Sequence, residues 1–323
     1  MLPRAVSELG KSLGRNGPRK TLSILRQMCY RGPWFTFTSR YPLGTNVYER
    51  EWDALLVLDA CRVDALRAVA DEFDFIEHVD SIWSVGSHSH EWMCQTFTTD
   101  RLPEINRTTY VVGNGFAQRT FYDQELPFRS VNPLVRSAFD VADAADFHLL
   151  DGVWTHGHDD RLGNVPPRYI TDRAIKLARQ EDPERLIIHY NQPHIPHMAA
   201  AIDSDRPLTE AESEPFSLLK EGDLDRKAAM ASYLDNLRLV LGEVELLLEN
   251  LDADTVAISA DHGEAFGEWG QYSHPRGSIN PVIKKVPWAE TTATDTGLHT
   301  PTSEKRDVEM DLGAHLADLG YRV

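Results

Sequence analysis

Asp261-His262-Gly263-Glu264 closes the short run Thr255-Val256-Ala257-Ile258-Ser259-Ala260, and Gly267, Gly270 and a further histidine, His274, follow it. A run this short and β-branched, with no period-two alternation of polar residues, predicts a buried strand. Carboxylate and imidazole presented together where such a strand stops are ligand types of Zn²⁺ or Mn²⁺. An Asp-His pair alone is as often a solvated loop, so partners elsewhere in the chain must decide.

Asp59 is one such partner. It directly follows Ala54-Leu55-Leu56-Val57-Leu58, and a carboxylate there is costly to bury unless a cation or several donors compensate. Capping of the next helix is the plain alternative. Asp59, Asp261 and His262 together offer three protein ligands and leave a position for substrate. Ser87 and Ser89 precede helical sequence, so either hydroxyl can cap that helix or, beside a cation, become an alkoxide nucleophile near neutral pH. His194 and His197 sit in a proline-bounded turn, Pro193-His194-Ile195-Pro196-His197. An imidazole held there can bind an anionic ester or protonate a leaving group. His274 is a further metal ligand or an oxyanion contact. Asn114, after another strand, can donate its amide to a phosphoryl oxygen.

The elements that must position these residues follow from periodicity. Apolar runs predict strands over 53–58, 74–83, 108–112, 185–190 and 255–260, and helical spacing predicts helices over 61–70, 91–97, 171–180, 226–250 and 308–319. Residues 116–165 read as irregular, and 198–223 as an acidic loop or lid broken by Pro207 and Pro215. Alternating strands and helices predict a mostly parallel sheet covered on both faces, with ligands at the carboxyl ends of its strands. One catalytic domain over 49–323 is expected, preceded by an arm over 1–48.

Composition narrows the class. The chain has 323 residues and a net charge of −17, with 50 acids against 33 bases, of which 8 are lysine. An acidic, lysine-poor surface suits life in high salt, where self-repulsion is screened, and points to a halophile. It argues against nucleic acid as a partner. Residues 1–50 run the other way, with nine bases and two acids. Within them, Leu22, Leu25, Met28 and Cys29 share one helical face, so this basic arm could touch an anionic membrane surface or equally dock on the acidic body of its own domain or of a second subunit. Three cysteines make no disulfide framework, and no membrane span or signal peptide is visible, so a cytoplasmic protein, or one membrane-associated through the arm, is expected.

Leu56-Val57-Leu58-Asp59-Ala60-Cys61-Arg62-Val63-Asp64 and Ser259-Ala260-Asp261-His262-Gly263-Glu264-Ala265-Phe266-Gly267-Glu268, with the His194-Ile195-Pro196 turn between, resemble the sulfatase-like branch of the alkaline phosphatase superfamily. The resemblance spans 50–323. It implies an α/β three-layer sandwich with a mostly parallel central sheet. It also implies a divalent metal (Zn, Mn or Ca) held by Asp59, Asp261 and His262, with Ser89 as the favoured nucleophile. Asn191 stands where a second-site Asp would be sought, so one metal site is expected and a second stays open. Formylglycine sulfatases carry Cys/Ser-x-Pro-x-Arg, whereas this chain has Ser87-His88-Ser89-His90-Glu91. The expectation is therefore a metal-dependent hydrolase of phosphate, phosphodiester or sulfate esters, some of them linked to glycans or lipids. The alternatives are phosphoglycerol- or phosphoethanolamine-type transfer to a glycan or lipid, and a non-catalytic anion-binding relative.

Overall fold

The structure, a computed structural model, describes residues 36–38, 40–125, 127 and 139–302. The amphipathic stretch of the basic arm, Cys29 and the helix expected over 308–319 lie outside the described residues. In chain order the strands are β1 (Ala54–Leu58), β2 (Asp80–Trp83), β3 (Thr108–Val112), β4 (Leu149–Gly152), β5 (Arg185–Tyr190), β6 (Ala253–Ser259), β7 (Ala265–Phe266), β8 (Tyr272–Ser273) and β9 (Lys285–Ala293). The helices that matter for the site are α1 (Val63–Val69), α2 (Ser89–Thr96), α3 (Pro167–Glu181) and α4 (Arg226–Leu248).

Seven strands form one sheet in the order β2-β9-β6-β1-β5-β3-β4, and β7 and β8 pair as a separate hairpin. The run β6-β1-β5-β3-β4 is parallel throughout, while β9 lies antiparallel to both of its neighbours. The expected mostly parallel α/β sheet is what the structure shows. Every residue of β1 and β3 is buried, as strands of a sheet covered on both faces are. Successive residues of β5 show the two faces. The Tyr190 hydroxyl bonds Thr171 on α3, whereas the His189 ring packs edge-on against Trp92 of α2, 5.6 Å between centroids. On the Tyr190 side, α3 and α1 both pack along α4.

Three features differ from expectation. β4 lies within the stretch expected to be irregular. Its Leu149-Leu150-Asp151-Gly152 sequence is too short and polar to stand out, and parallel pairing to β3 alone makes it a strand. β9 was masked by Pro287 and by its exposed polar half. The acidic stretch after His197 holds three short helices, Ala199–Asp203, Glu210–Ser213 and Pro215–Glu221. No helix among the described residues is long and apolar enough to cross a membrane.

Candidate active site

Parallel register places the acids. Val57 pairs with Ser259 and Leu58 with Tyr190, so one step past the pairing Asp59 stands beside Asn191 on one side, and two steps past Val57 it stands beside Asp261 on the other. Neighbouring strands are about 4.8 Å apart, which brings two carboxylates together at the end of the sheet, both fully buried. Asp261 Oδ1 accepts from the amides of Ala60 (3.1 Å) and His262 (2.8 Å), which turns Oδ2 inward. Asp59 Oδ2 accepts from Asn114 Nδ2 at 2.8 Å and from Ser89 Oγ at 3.4 Å, which leaves Oδ1. Neither Asp59 Oδ1 nor Asp261 Oδ2 has a hydrogen bond among the described residues.

His262 completes the corner. Its Nδ1 lies 2.9 Å from the Gly263 carbonyl and can only donate to it, so in the neutral ring Nε2 carries the lone pair. That atom sits 3.3 Å from Asp261 Oδ2, 3.6 Å from Asp59 Oδ1 and 3.2 Å from Ser89 Oγ. Burial, opposed by Asp261, holds the His262 pKa below its usual value. Burial and the neighbouring Asp261 push Asp59 well up. Asp261 stays low: burial would raise it, but His262, His189 and its donors outweigh that. Lone pairs of three ligands thus converge on one point where only a proton or a cation can reconcile them. The residues present fit a divalent metal.

A second triad adjoins the first. Ligand atoms of His194, Glu264 and His274 lie within 4.8 Å of one another, as do those of Asp59, Asp261 and His262. The His262 and His274 rings are 4.3 Å apart and join the two groups. His194 Nδ1 is 2.9 Å from the Ile195 carbonyl, the same arrangement as in His262, and Nε2 is 4.0 Å from Glu264 Oε2. His274 Nδ1 lies 3.2 Å from Glu264 Oε1. Burial lifts the Glu264 pKa to about 7, with His194 and His262 opposing, and lowers His194 to about 3 and His274 to about 4. These residues too form a set of metal-ligating types.

Each site residue singled out in the sequence now has a place. Asp59, Asp261, His262 and Ser89 meet at one point, and His194 and His274 meet at the other. Asn114 is turned onto Asp59. Ser87 is elsewhere: its hydroxyl donates to Glu91 Oε2 at 2.8 Å and accepts from the Ser278 amide at 3.1 Å. His197 joins neither group. It is buried against the short helices that follow it, where its amide donates to the Glu212 carbonyl and its ring lies 6.0 Å from Tyr233. The N-cap of α2 is His88, whose Nδ1 accepts from the His90 amide, and neither serine caps the helix. Ser89 occupies the first helical position, beside the backbone N–H groups that favour anions.

Four contributors were not recognised from sequence as part of the site. Glu264 lies inside the Asp261-His262-Gly263-Glu264 motif, where its type alone assigns it no role. His189, a polar residue inside an apolar strand, accepts from or donates to Tyr110 OH (2.8 Å) and sets Nε2 3.8 Å from Asp261 Oδ2. His88 lies 5.2 Å from the His274 ring. Arg62 is buried and binds Asp64, Glu268 and the Glu264 carbonyl, fastening the loop after β1 to the β7–β8 hairpin. Gly263 has its own reason: a Cβ there would lie 2.2 Å from the Val282 carbonyl oxygen, so the backbone can pass only without a side chain.

No model of a protein family matches the chain, and no curated protein does. Solved structures similar to it include the soluble domain of lipooligosaccharide phosphoethanolamine transferase A from Neisseria meningitidis. The identity is 18% over 76% of this chain and 77% of that one, with a TM-score of 0.44. The integral membrane protein of that name is 17% identical over 76% of this chain and 48% of its own, with a TM-score of 0.45. A 2-O GAG sulfatase is 12% identical over 84% of this chain and 70% of that one, with a TM-score of 0.41. Scores below 0.5 at such identities assign this chain no reaction.

Proposed function

We propose that the protein is a metal-dependent enzyme that cleaves phosphate, phosphodiester or sulfate esters, with Ser89 as nucleophile. The observation that carries this reading is the position of Ser89 Oγ, 3.2 Å from His262 Nε2 and 3.4 Å from Asp59 Oδ2, where two unsatisfied carboxylate oxygens converge. Asp59, Asp261 and His262 would hold one divalent cation, and His194, Glu264 and His274 a second. Bound there, such ions lower the pKa of an adjacent hydroxyl and neutralise charge developing on a transferred group. The chain's own residues do the rest. Asn114 and Asp59 orient Ser89 for in-line attack. His194 and His274, with ring centroids 4.8 Å apart, would be the imidazole ligands of that second cation. Glu264, which ionises near neutrality, would hold that second cation as a carboxylate.

Transfer to an alcohol is the second reading, favoured by one observation: Ser89 and all six ligands are buried, a setting that limits bulk water as a competing acceptor. A single screen covers both. Purified protein is loaded with Zn²⁺, Mn²⁺ or Ca²⁺ and offered phosphate, phosphodiester and sulfate esters in low and high salt, with and without glycerol as acceptor. Turnover with glycerol-linked product supports transfer, and turnover without it supports hydrolysis. Metal binding with no turnover on any ester would leave a non-catalytic anion-binding protein and overturn the proposal.

A further inference from the structure

Three histidines near Ser89 use their ring nitrogens in two opposite ways. His262 and His194 donate from Nδ1 to the carbonyls of Gly263 and Ile195, which leaves a lone pair on each Nε2. His88 is wired in reverse. Its Nδ1 lies 3.2 Å from the His90 amide, the contact that caps α2. An amide N–H can only donate, so this Nδ1 accepts, the ring is neutral and its proton sits on Nε2. A nitrogen that carries its proton is no metal ligand. His88 therefore adds a hydrogen-bond donor to a cluster in which His262 and His194 offer lone pairs.

The ring stands among the groups of both triads. It is buried, adjoins Ser89 in sequence, and lies 5.2 Å from the His274 ring and 6.3 Å from the His262 ring, with Phe116 packed on it at 5.0 Å. The charge of Arg276, two residues past His274, reaches the same place. After burial it is the largest influence holding the His88 pKa well down, and it acts in the same sense on His90 and His274. A donor, a cation and the first turn of α2 thus meet beside the Ser89 hydroxyl. All three present positive ends, and negative charge carried on oxygen is what gains from each of them.

We propose that His88, through Nε2–H and with the charge of Arg276 behind it, binds an oxygen of a tetrahedral oxyanion, a phosphoryl or sulfuryl group, held beside Ser89. The catalytic meaning of this subsite rests on the reading of Ser89 as nucleophile; the binding itself does not. His88 would then have two separable duties, one for each ring nitrogen: Nδ1 starts the helix that carries Ser89, and Nε2–H grips the group that Ser89 attacks. Being neutral, the ring recognises the anion as a donor and adds no charge of its own, so the charge complementarity falls to Arg276.

The two duties can be tested apart. His88→Asn keeps an oxygen that accepts from the His90 amide, and Asn is a favoured N-cap, but it has no counterpart of Nε2–H. The full chain, loaded with divalent metal, is titrated calorimetrically with inorganic phosphate and with sulfate. The wild type is expected to bind at least one of them. His88→Asn is expected to bind it about tenfold or more weakly, the loss of one hydrogen bond to a charged group, with unchanged metal content and an unfolding midpoint close to the wild type's. Arg276→Gln leaves the cap untouched, serves as a second variant should the first fail to fold, and is expected to weaken binding several-fold. A wild type that binds neither anion, either folded variant binding as tightly as the wild type, or metal lost from His88→Asn would overturn the proposal. Ester turnover by the same wild-type sample reports separately on the nucleophile: phosphate binding that depends on His88, without turnover of any ester, upholds the subsite and overturns the reading of Ser89.

Discussion

Asp59 and Asp261 stand side by side at the ends of adjacent parallel strands, both fully buried, and the first is driven toward its protonated form while the second stays ionised. Two buried carboxylates in register are unfavourable as a bare pair, since burial and mutual repulsion both oppose the second charge. A divalent cation removes both penalties. The pair and His262 could therefore hold a metal ion, with the Ser89 hydroxyl beside them.

Ser89 and Ser87 make the sharpest contrast. Ser89→Ala is expected to lower turnover at least about a thousandfold while metal content stays the same. Ser87→Ala breaks the hydroxyl's bonds to Glu91 and to the Ser278 amide. It should cost about 1–2 kcal/mol of stability and leave turnover within about tenfold. Steady-state kinetics and thermal unfolding of the two variants separate these roles. Equal losses in both would place the nucleophile wrongly.

Stability should fall steeply in acid. Burial depresses the pKa of His90, His194 and His197 to about 3, of His189 and His274 to about 4, and lowers His88 and His262 as well. Groups with depressed folded values contribute stability above their unfolded pKa, near 6.5, and lose it as pH falls toward the folded values. Glu264 acts oppositely: raised to about 7, it favours the folded state below about 4.5 and loses that contribution as pH rises through 7. One carboxyl, even with Asp59, does not offset seven imidazoles, each changing stability by up to about 1.4 kcal/mol per pH unit. Tryptophan fluorescence should show cooperative unfolding between pH 6.5 and 4. A fully folded protein at pH 4 would contradict this.

Cation affinity should rise with pH. Glu264 must shed its proton to bind, so affinity at the His194–Glu264–His274 group is expected to increase by up to about tenfold per unit below pH 7 and to level off above it. Calorimetric titration of chelator-treated protein at pH 6 and pH 8 measures this. In the Glu264→Gln variant the dependence should flatten and the weaker of two binding events should vanish.

Arg62→Met should act at a distance. The side chain joins Asp64, Glu268 and the Glu264 carbonyl while almost wholly buried. Its loss should cost about 2–3 kcal/mol, toward the low end for buried ion pairs because Asp64 faces solvent. Turnover should fall through a displaced Glu264, with Ser89 and Asp59 undisturbed. Urea unfolding together with kcat measurement checks both halves.

Much of this was legible in the chain. β1 is a continuous apolar run, and β3 and β5 are short β-branched and aliphatic runs; their ends name Asp59, Asn114 and the His194 turn, and burial on both faces favours that pattern. What the residues alone did not show is adjacency. The meeting of Asp59 with Asp261 depends on strand order and register, and the union of His194, Glu264 and His274 depends on the β7–β8 hairpin folding back on itself. Ser87 and Ser89 were equivalent by type and spacing. Only the choice of His88 as the helix cap turned one toward Glu91 and the other toward His262. β4 and β9 escaped notice because their polar residues and Pro287 mimic loop sequence.

The central claim is that Asp261 belongs to a metal-holding corner on which ester cleavage depends. Its most direct test is elemental analysis of metal-loaded wild type and Asp261→Asn, with turnover measured on the same samples. Bound divalent cation and turnover are expected in the wild type. The variant is expected to show depleted metal, turnover lower by at least about a thousandfold and an unchanged near-ultraviolet spectrum. Wild-type protein that takes up no divalent cation, or an Asp261→Asn variant that retains full turnover, would contradict it.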